Sequence, residues 1–225
     1  MRVIGLLGGM GPPSTELYYR QLCAKTNAKL GAAHSARVVI WADDFETLSA
    51  HQRSGEWARA GDMLAGNARR LVQAGAEVVA LTANTMHIVA DQIRAAIDVP
   101  LLRVTDAVTQ RLQEANVKRV LLLGTSYTME QPFYREALAK AGFLVSTPEA
   151  EARKEMQRVI YDELTKNIVR KESAAWLRQL IARSEAEAAL LACTELGMLV
   201  TQNDVSTRLF DTVELHTDAL LAAAL

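Results

Sequence analysis

Two stretches of this chain repeat one grammar, and that repetition restricts the possible folds more than any other feature. Gly75–Thr85 reads G-A-E-V-V-A-L-T-A-N-T, and Glu185–Glu195 reads E-A-E-A-A-L-L-A-C-T-E. A shift of 110 positions aligns Glu77 with Glu187, Leu81 with Leu191, Ala83 with Cys193 and Asn84 with Thr194. Leu6-Leu7-Gly8-Gly9 likewise matches Leu122-Leu123-Gly124-Thr125. Buried strands resemble one another in general, but here the polar residues that flank them match too. We read the pattern as a duplication, with two related halves of about 100 residues each.

Within each half, short apolar runs alternate with stretches of helical periodicity, as in βαβ units around a parallel sheet. Val3–Leu7, Val38–Ala42, Val78–Leu81 and Leu101–Val104 read as buried strands. Thr15–Lys29, Arg59–Ala74 and His87–Ala96 read as the helices between them, with Gly75 as a C-terminal stop. The second half predicts strands at Arg119–Leu123, Phe143–Ser146, Ala188–Ala192 and Leu209–Phe210. Helices are expected at Pro132–Ala141, Glu149–Lys166 and Ala174–Ser184. No low-complexity linker separates the halves, so the boundary is set near Thr105–Asn116. The expected lobes are 1–110 and 111–211, with a closing helix over about 212–225 that packs back on the first lobe.

Composition narrows the function. The 25 Lys and Arg nearly balance the 26 Asp and Glu and form no stripe, so a nucleic-acid partner is not expected. Arg2 and the run Val3–Leu7 are followed at once by glycines, which does not fit a secretory leader. The apolar Ala219–Leu225 stretch is too short to span a bilayer, so no membrane partner is expected either. With only Cys23 and Cys193 there is no disulfide framework, and a reducing, cytoplasmic setting fits best.

In open parallel sheets, ligands bind beyond the carboxyl ends of the strands. Four segments fall there: Gly8-Gly9-Met10-Gly11, Thr82-Ala83-Asn84-Thr85, Gly124-Thr125-Ser126-Tyr127-Thr128 and Cys193-Thr194-Glu195. The glycine loop and the helix after it could offer N–H groups to an anion, or could simply be a tight turn. The loop lacks the G-x-G-x-x-G spacing and the lysine of a phosphate loop. Cys193 directly follows a buried strand, a placement that suits either a thiol aimed at a ligand or inert packing. Cys23 lies inside a helical pattern and reads as inert. His34, His51, His87 and His216 show no zinc spacing, and no metal is expected. His87 either lines the cleft or caps and packs its helix. Arg53 and Lys166 are candidates for holding carboxylates, each with a solvated surface role as the alternative. No G-x-S-x-G elbow is present.

These motifs carry a resemblance. G-L-L-G-G-M-G-P at Gly5–Pro12, A-N-T-M-H at Ala83–His87 and A-C-T-E-L at Ala192–Leu196 resemble the aspartate/glutamate racemase family. So do D-D-F at Asp43–Phe45 and Gln52-Arg53 followed by Gly55-Glu56-Trp57. The resemblance implies two similar α/β lobes, each with a parallel sheet flanked by helices, facing across a cleft that holds the active site. It also implies cofactor-independent racemisation of aspartate or glutamate in a homodimer. Two residues, one per lobe, would transfer protons on opposite faces of the substrate α-carbon. By motif match, Cys193 is one of them. The other position, usually cysteine and in some members threonine, is Ala83, whose methyl group can move no proton. Asn84, Thr85 and Thr194 would hold the α-amino and α-carboxylate groups, beside Glu195. Met10 and Gln52 would line the substrate site, and Tyr127, Thr128 and Lys166 belong to segments that vary more in the family.

Ala83 leaves three accounts open. The chain is a competent racemase into which a substitution was introduced, a one-sided enzyme, or a binding protein without turnover. The one-sided enzyme would use Cys193 with water or Thr82 as the second proton source, although Thr82 should face the other side of its strand. Maleate isomerase and hydantoin racemase relatives share the two-lobed plan and remain alternatives for the reaction.

Overall fold

The computed structural model describes residues 1–225 and contains two all-parallel, four-stranded sheets with the same topology. In the first, β1 (Ile4–Gly8) lies between β2 (Val38–Ala42) and β3 (Val78–Leu81), and β4 (Leu101–Leu102) closes the far edge. In the second, β5 (Arg119–Leu123) lies between β6 (Leu144–Ser146) and β7 (Ala188–Leu191), with β8 (Arg208–Asp211) outside β7. The orders β2-β1-β3-β4 and β6-β5-β7-β8 are one order repeated.

Apart from Arg119 at the start of β5, the central strands carry no charged or polar side chain, because both faces of the sheet are covered. On one face of the first sheet, Ile4, Leu6, Val78 and Ala80 pack against Tyr18 and Leu22 of α1 (Pro12–Leu30). Val213, Leu220 and Ala224 of α10 (Thr212–Ala224) join that cluster. On the other face, Leu7, Val79 and Leu81 meet Leu48 of α2 (Phe45–Ser54) and Ala60, Leu64 and Leu71 of α3 (Trp57–Gln73). Ile93 of α4 (Ala90–Arg94) completes this layer. Alternate residues of one strand thus serve opposite layers, the consequence of its two-residue period.

The second sheet repeats the scheme. Leu121, Leu123, Ala189 and Leu191 pack on Met156 of α8 (Ala150–Arg158) and on Leu177 and Ile181 of α9 (Lys171–Ala182). α6 (Ser126–Glu130) and α7 (Pro132–Lys140) connect β5 to β6.

The chain divides into one unit of residues 1–107 with 213–225 and another of 108–212. α10 belongs to the first. Lys25 Nζ donates to Glu214 O at 2.8 Å, Thr217 Oγ1 at 2.8 Å and Asp218 Oδ1 at 2.6 Å, and Arg2 N donates to Ala224 O at 2.7 Å.

Several elements differ from the sequence expectation. The boundary region Thr105–Asn116 lies mostly within α5 (Val104–Glu114), where Val104, Val108 and Leu112 recur every four residues and are buried. β4 is therefore shorter than expected. β2 is an edge strand rather than a buried one, with Ile40 and Trp41 exposed. α2 was not expected; Asp44 caps its start and Gly55, in the left-handed region, ends it. His87–Ala96 is a 3₁₀ turn (Thr85–Val89) followed by α4. Glu149–Lys166 is α8, then a π-helical turn (Val159–Glu163) and a 3₁₀ turn (Leu164–Lys166).

Candidate active site

The duplication extends to hydrogen bonds. Ahead of β3, Glu77 Oε2 accepts from Val3 N at 2.8 Å, and Glu77 N donates to Val3 O at 2.8 Å. Ahead of β7, Glu187 Oε2 accepts from Lys118 N at 2.7 Å, and Glu187 N donates to Arg119 O at 3.0 Å. Past the strands, Thr82 N donates to Leu7 O at 3.0 Å, and Ala192 N donates to Leu123 O at 2.7 Å. Residue 83 and residue 193 are therefore equivalent places in two copies of one motif, each two residues beyond the second central strand of its sheet. The parallel registers Leu7–Leu81 and Leu123–Leu191 set the loop after the first central strand beside them.

In the first unit these loops hold Met10, Ala83, Asn84 and Thr85, and Gln52 of α2 is tied to them through Met86. Met10, Asn84 and Gln52 are buried, and Gln52 Nε2 lies 2.9 Å from Met86 Sδ. Gly9 has φ +83°, and a Cβ there would collide with the backbone of Asp43, so the turn requires glycine. The Met10–Gly11 peptide is cis. The loop is poorer in anion-binding groups than its glycines suggest. Gly9 N already donates to Thr15 Oγ1 at 2.9 Å, and Pro12 and Pro13 at the start of α1 have no N–H. Arg53 is exposed; it donates to Glu46 Oε1 at 2.5 Å and Ser49 Oγ at 2.8 Å along its own helix. Thr82 is fully buried, its hydroxyl 3.2 Å from Leu7 O and 3.2 Å from Thr15 Oγ1, which withdraws it as a proton source.

In the second unit, Thr125, Thr128, Cys193, Thr194 and Glu195 are all buried. Thr125 caps α6 by accepting from Thr128 N at 3.2 Å, and a Cβ on Gly124 would stand 2.8 Å from Ala192 O, so the two loops touch. Glu195 Oε2 accepts from Cys193 Sγ at 3.0 Å and from Thr194 Oγ1 at 2.5 Å. Burial pushes the Cys193 thiol well above its ordinary pKa, and the charge of Glu195, its bond to the thiol and the charge of Asp211 push the same way. The site thus favours the thiol form of Cys193, which donates its hydrogen bond to the Glu195 carboxylate.

Tyr161 and Asp211 were missed from sequence. Tyr161 is pushed up to about 12 by burial and by Tyr127, Cys193 and Glu195 beside it. The π-helical turn that carries it is a known mark of functional segments, but it has no sequence signature. Lys166 is exposed at the end of the 3₁₀ turn, 4.0 Å from Asp162 Oδ1. Cys23 is partly buried on α1. No group of three or more His, Cys, Asp or Glu side chains could hold a metal ion, and no helix is long and apolar enough to cross a membrane.

Replacing Glu195 by Gln should shift the alkylation of Cys193 by iodoacetamide to lower pH, because one of the two charges opposing the thiolate is gone. The comparison is made in a Cys23→Ser background. An unchanged profile would show that the carboxylate does not act on the sulfur.

The model of a family described as Asp/Glu/Hydantoin racemase matches residues 7–220. A candidate Asp/Glu racemase from Yersinia pestis superposes with a TM-score of 0.93 at 38% identity, covering 100% of this chain and 99% of that one. An aspartate racemase homologue from Pyrococcus horikoshii OT3 gives 0.89 at 32% identity, covering 100% and 99%. The broad-specificity amino-acid racemase RacX of Bacillus subtilis (strain 168) is 24% identical over 143 residues, a match spanning 62% of either chain.

Proposed function

The chain belongs to the Asp/Glu/hydantoin racemase family, and from that premise we propose that it binds an acidic amino acid and racemises it poorly. The observation that carries this reading is the equivalence of Ala83 and Cys193 in two hydrogen-bonded copies of one motif. A two-base racemisation needs one group to take the α-proton and another to return a proton from the far side. Cys193 has that chemistry and Ala83 has not.

In this proposal Asn84, Thr85 and Thr194 receive the α-amino and α-carboxylate groups, and Met10 and Gln52 bound the pocket. Arg53 and Lys166 are the cations offered to the distal carboxylate; for Arg53 this means exchanging or sharing its pairing with Glu46. The α-proton of an amino acid is weakly acidic, so donors held in a dry site must stabilise the enolate-like charge that develops. The Cys193 thiol can supply a proton to one face of that carbon, and its proton can pass to Glu195 when the sulfur must serve as a base. No cofactor enters this scheme.

Incubating each enantiomer of aspartate and glutamate in deuterated water tests the proposal. The expected result is negligible inversion, with α-deuterium entering one enantiomer only, on the face served by Cys193. Rapid inversion with deuteration of both enantiomers would overturn it. Thermal shifts with acidic amino acids, maleate and hydantoins separate this reading from its relatives, with stabilisation expected from the amino acids.

A further inference from the structure

Two buried histidines of the first unit take no part in this scheme, yet one of them holds the backbone of residue 83. His87 Nε2 lies 3.0 Å from Val104 N, an amide that can only donate, so Nε2 carries a lone pair. His87 Nδ1 lies 2.9 Å from Ala83 O, which can only accept, so the ring proton is on Nδ1. Only the neutral Nδ1–H tautomer satisfies both bonds. His216 has the opposite form. Its Nε2 faces Leu102 O at 3.0 Å and must donate, leaving Nδ1 to accept from Tyr18 Oη at 2.9 Å.

The rings stand 6.0 Å apart, centroid to centroid, and grip the same short turn between β4 and α5, at Leu102 and at Val104. A continuous path of hydrogen-bonded contacts therefore runs from α1 and α10 through Leu102–Val104 to the carbonyl of residue 83. Position 197, which the repeat aligns with His87, is glycine, so the second unit has no such grip.

We propose that His87 is a positioning residue. Its Nδ1–H bond to the carbonyl of residue 83 fixes the peptide there and so aims whatever side chain that position carries. The inference rests on the reading that position 83 is one of the two proton-transfer positions, but its test does not depend on turnover.

The first measurement is ¹⁵N NMR of the histidine-labelled, otherwise unaltered protein at pH 7. Two rings should be neutral and of opposite tautomer, one protonated at Nδ1 and one at Nε2. A charged His87, or one protonated at Nε2, would overturn the proposal.

The second measurement places a reporter at the site with Ala83→Cys in a Cys23→Ser, Cys193→Ser background and records the alkylation of the introduced thiol against pH. His87→Asn keeps an amide donor where Nδ1 stood, and His87→Gln puts its amide where Nε2 stood and leaves no donor at Nδ1. His87→Asn should leave the profile in place, while His87→Gln should move it. Coincident profiles for the two variants would refute the positioning role, and their contrast does not require His87→Ala to fold. With Cys193 retained, the same pair should split kcat for racemisation by about 10-fold or more at similar KM. If the alkylation profiles separate but Ala83→Cys shows no racemisation, the functional reading fails and the positioning role stands.

Discussion

Replacing Ala83 by cysteine is expected to raise racemisation of an acidic amino acid by at least about 100-fold. A positioned general acid or base contributes on the order of 10²–10⁴ to a proton transfer, and the proposed scheme leaves this chain with one of two. The substitution adds a single sulfur to an existing Cβ, at a half-buried position whose carbonyl is already held by His87. The scaffold that the proposed second base needs is therefore present. Deuterium should then enter both enantiomers, and adding Cys193→Ala should return the rate to that of the unaltered chain. If Ala83→Cys folds, binds an acidic amino acid and still does not invert it, the base position has been assigned wrongly.

Acid should destabilise the protein well before its carboxylates titrate. Burial first, then the neighbouring His216 and Arg103, lowers His87 to about 3, against the pull of its carbonyl bonds. Burial alone takes His216 down to about 4, although its bond to Leu102 O works the other way. Tyr18 is the remaining titratable group in contact, and it hydrogen-bonds the neutral ring. A histidine whose folded pKa lies below its unfolded value of about 6.5 favours the unfolded state once that state takes up its proton. The stability is thus complete above about pH 6.5 and is lost as pH falls toward the folded values. Each ring costs about 1.4 kcal/mol per pH unit in that range. Together they should remove about 5 kcal/mol between pH 6.5 and 4.5, a large part of a typical stability of about 5–15 kcal/mol.

The carboxylates of Glu46, Glu155 and Glu187 are held below their usual range, by Arg53, by Arg158 and by the backbone N–H of Lys118 respectively. Their contribution is present above their unfolded pKa near 4.5 and is lost only below it, so the histidines dominate the window above. Urea unfolding at pH 7.5, 6.5, 5.5 and 4.5 measures the slope. His216→Gln, which keeps a donor for Leu102 O and cannot take up a proton, should halve it. Stability that is flat from pH 6.5 to 4.5 would mean that these rings are not buried neutral.

The β-strands were legible because sheets covered on both faces demand continuous apolar runs, and Val78–Leu81 and Arg119–Leu123 fall where they were expected. Val38–Ala42 shows the limit of that rule. Its V-V-I-W-A reads like an inner strand, but strand order puts it at an edge, and order is a property of the whole sheet. α5 escaped notice because only three apolar residues mark its buried stripe. Residues 83 and 193 could be singled out as equivalent positions because the repeat keeps local spacing. Glu195 could be named but not understood, since its contact with the thiol depends on how a two-residue turn folds. Tyr161 depended on a π-helical turn, and the Tyr18–His216 pair on a contact between residues 198 positions apart. Gly9 and the prolines of α1 warn in the other direction: a loop that looks rich in N–H donors has several of them occupied or missing.

The proposed two-sided proton transfer requires side chains 83 and 193 to reach opposite faces of one substrate carbon. A crystal structure of the unaltered protein soaked with aspartate tests that requirement. The ligand α-carbon should lie within van der Waals reach of both Ala83 Cβ and Cys193 Sγ, with those two atoms on opposite sides of it. A ligand bound elsewhere, or one touched by only one of the two side chains, would contradict the account.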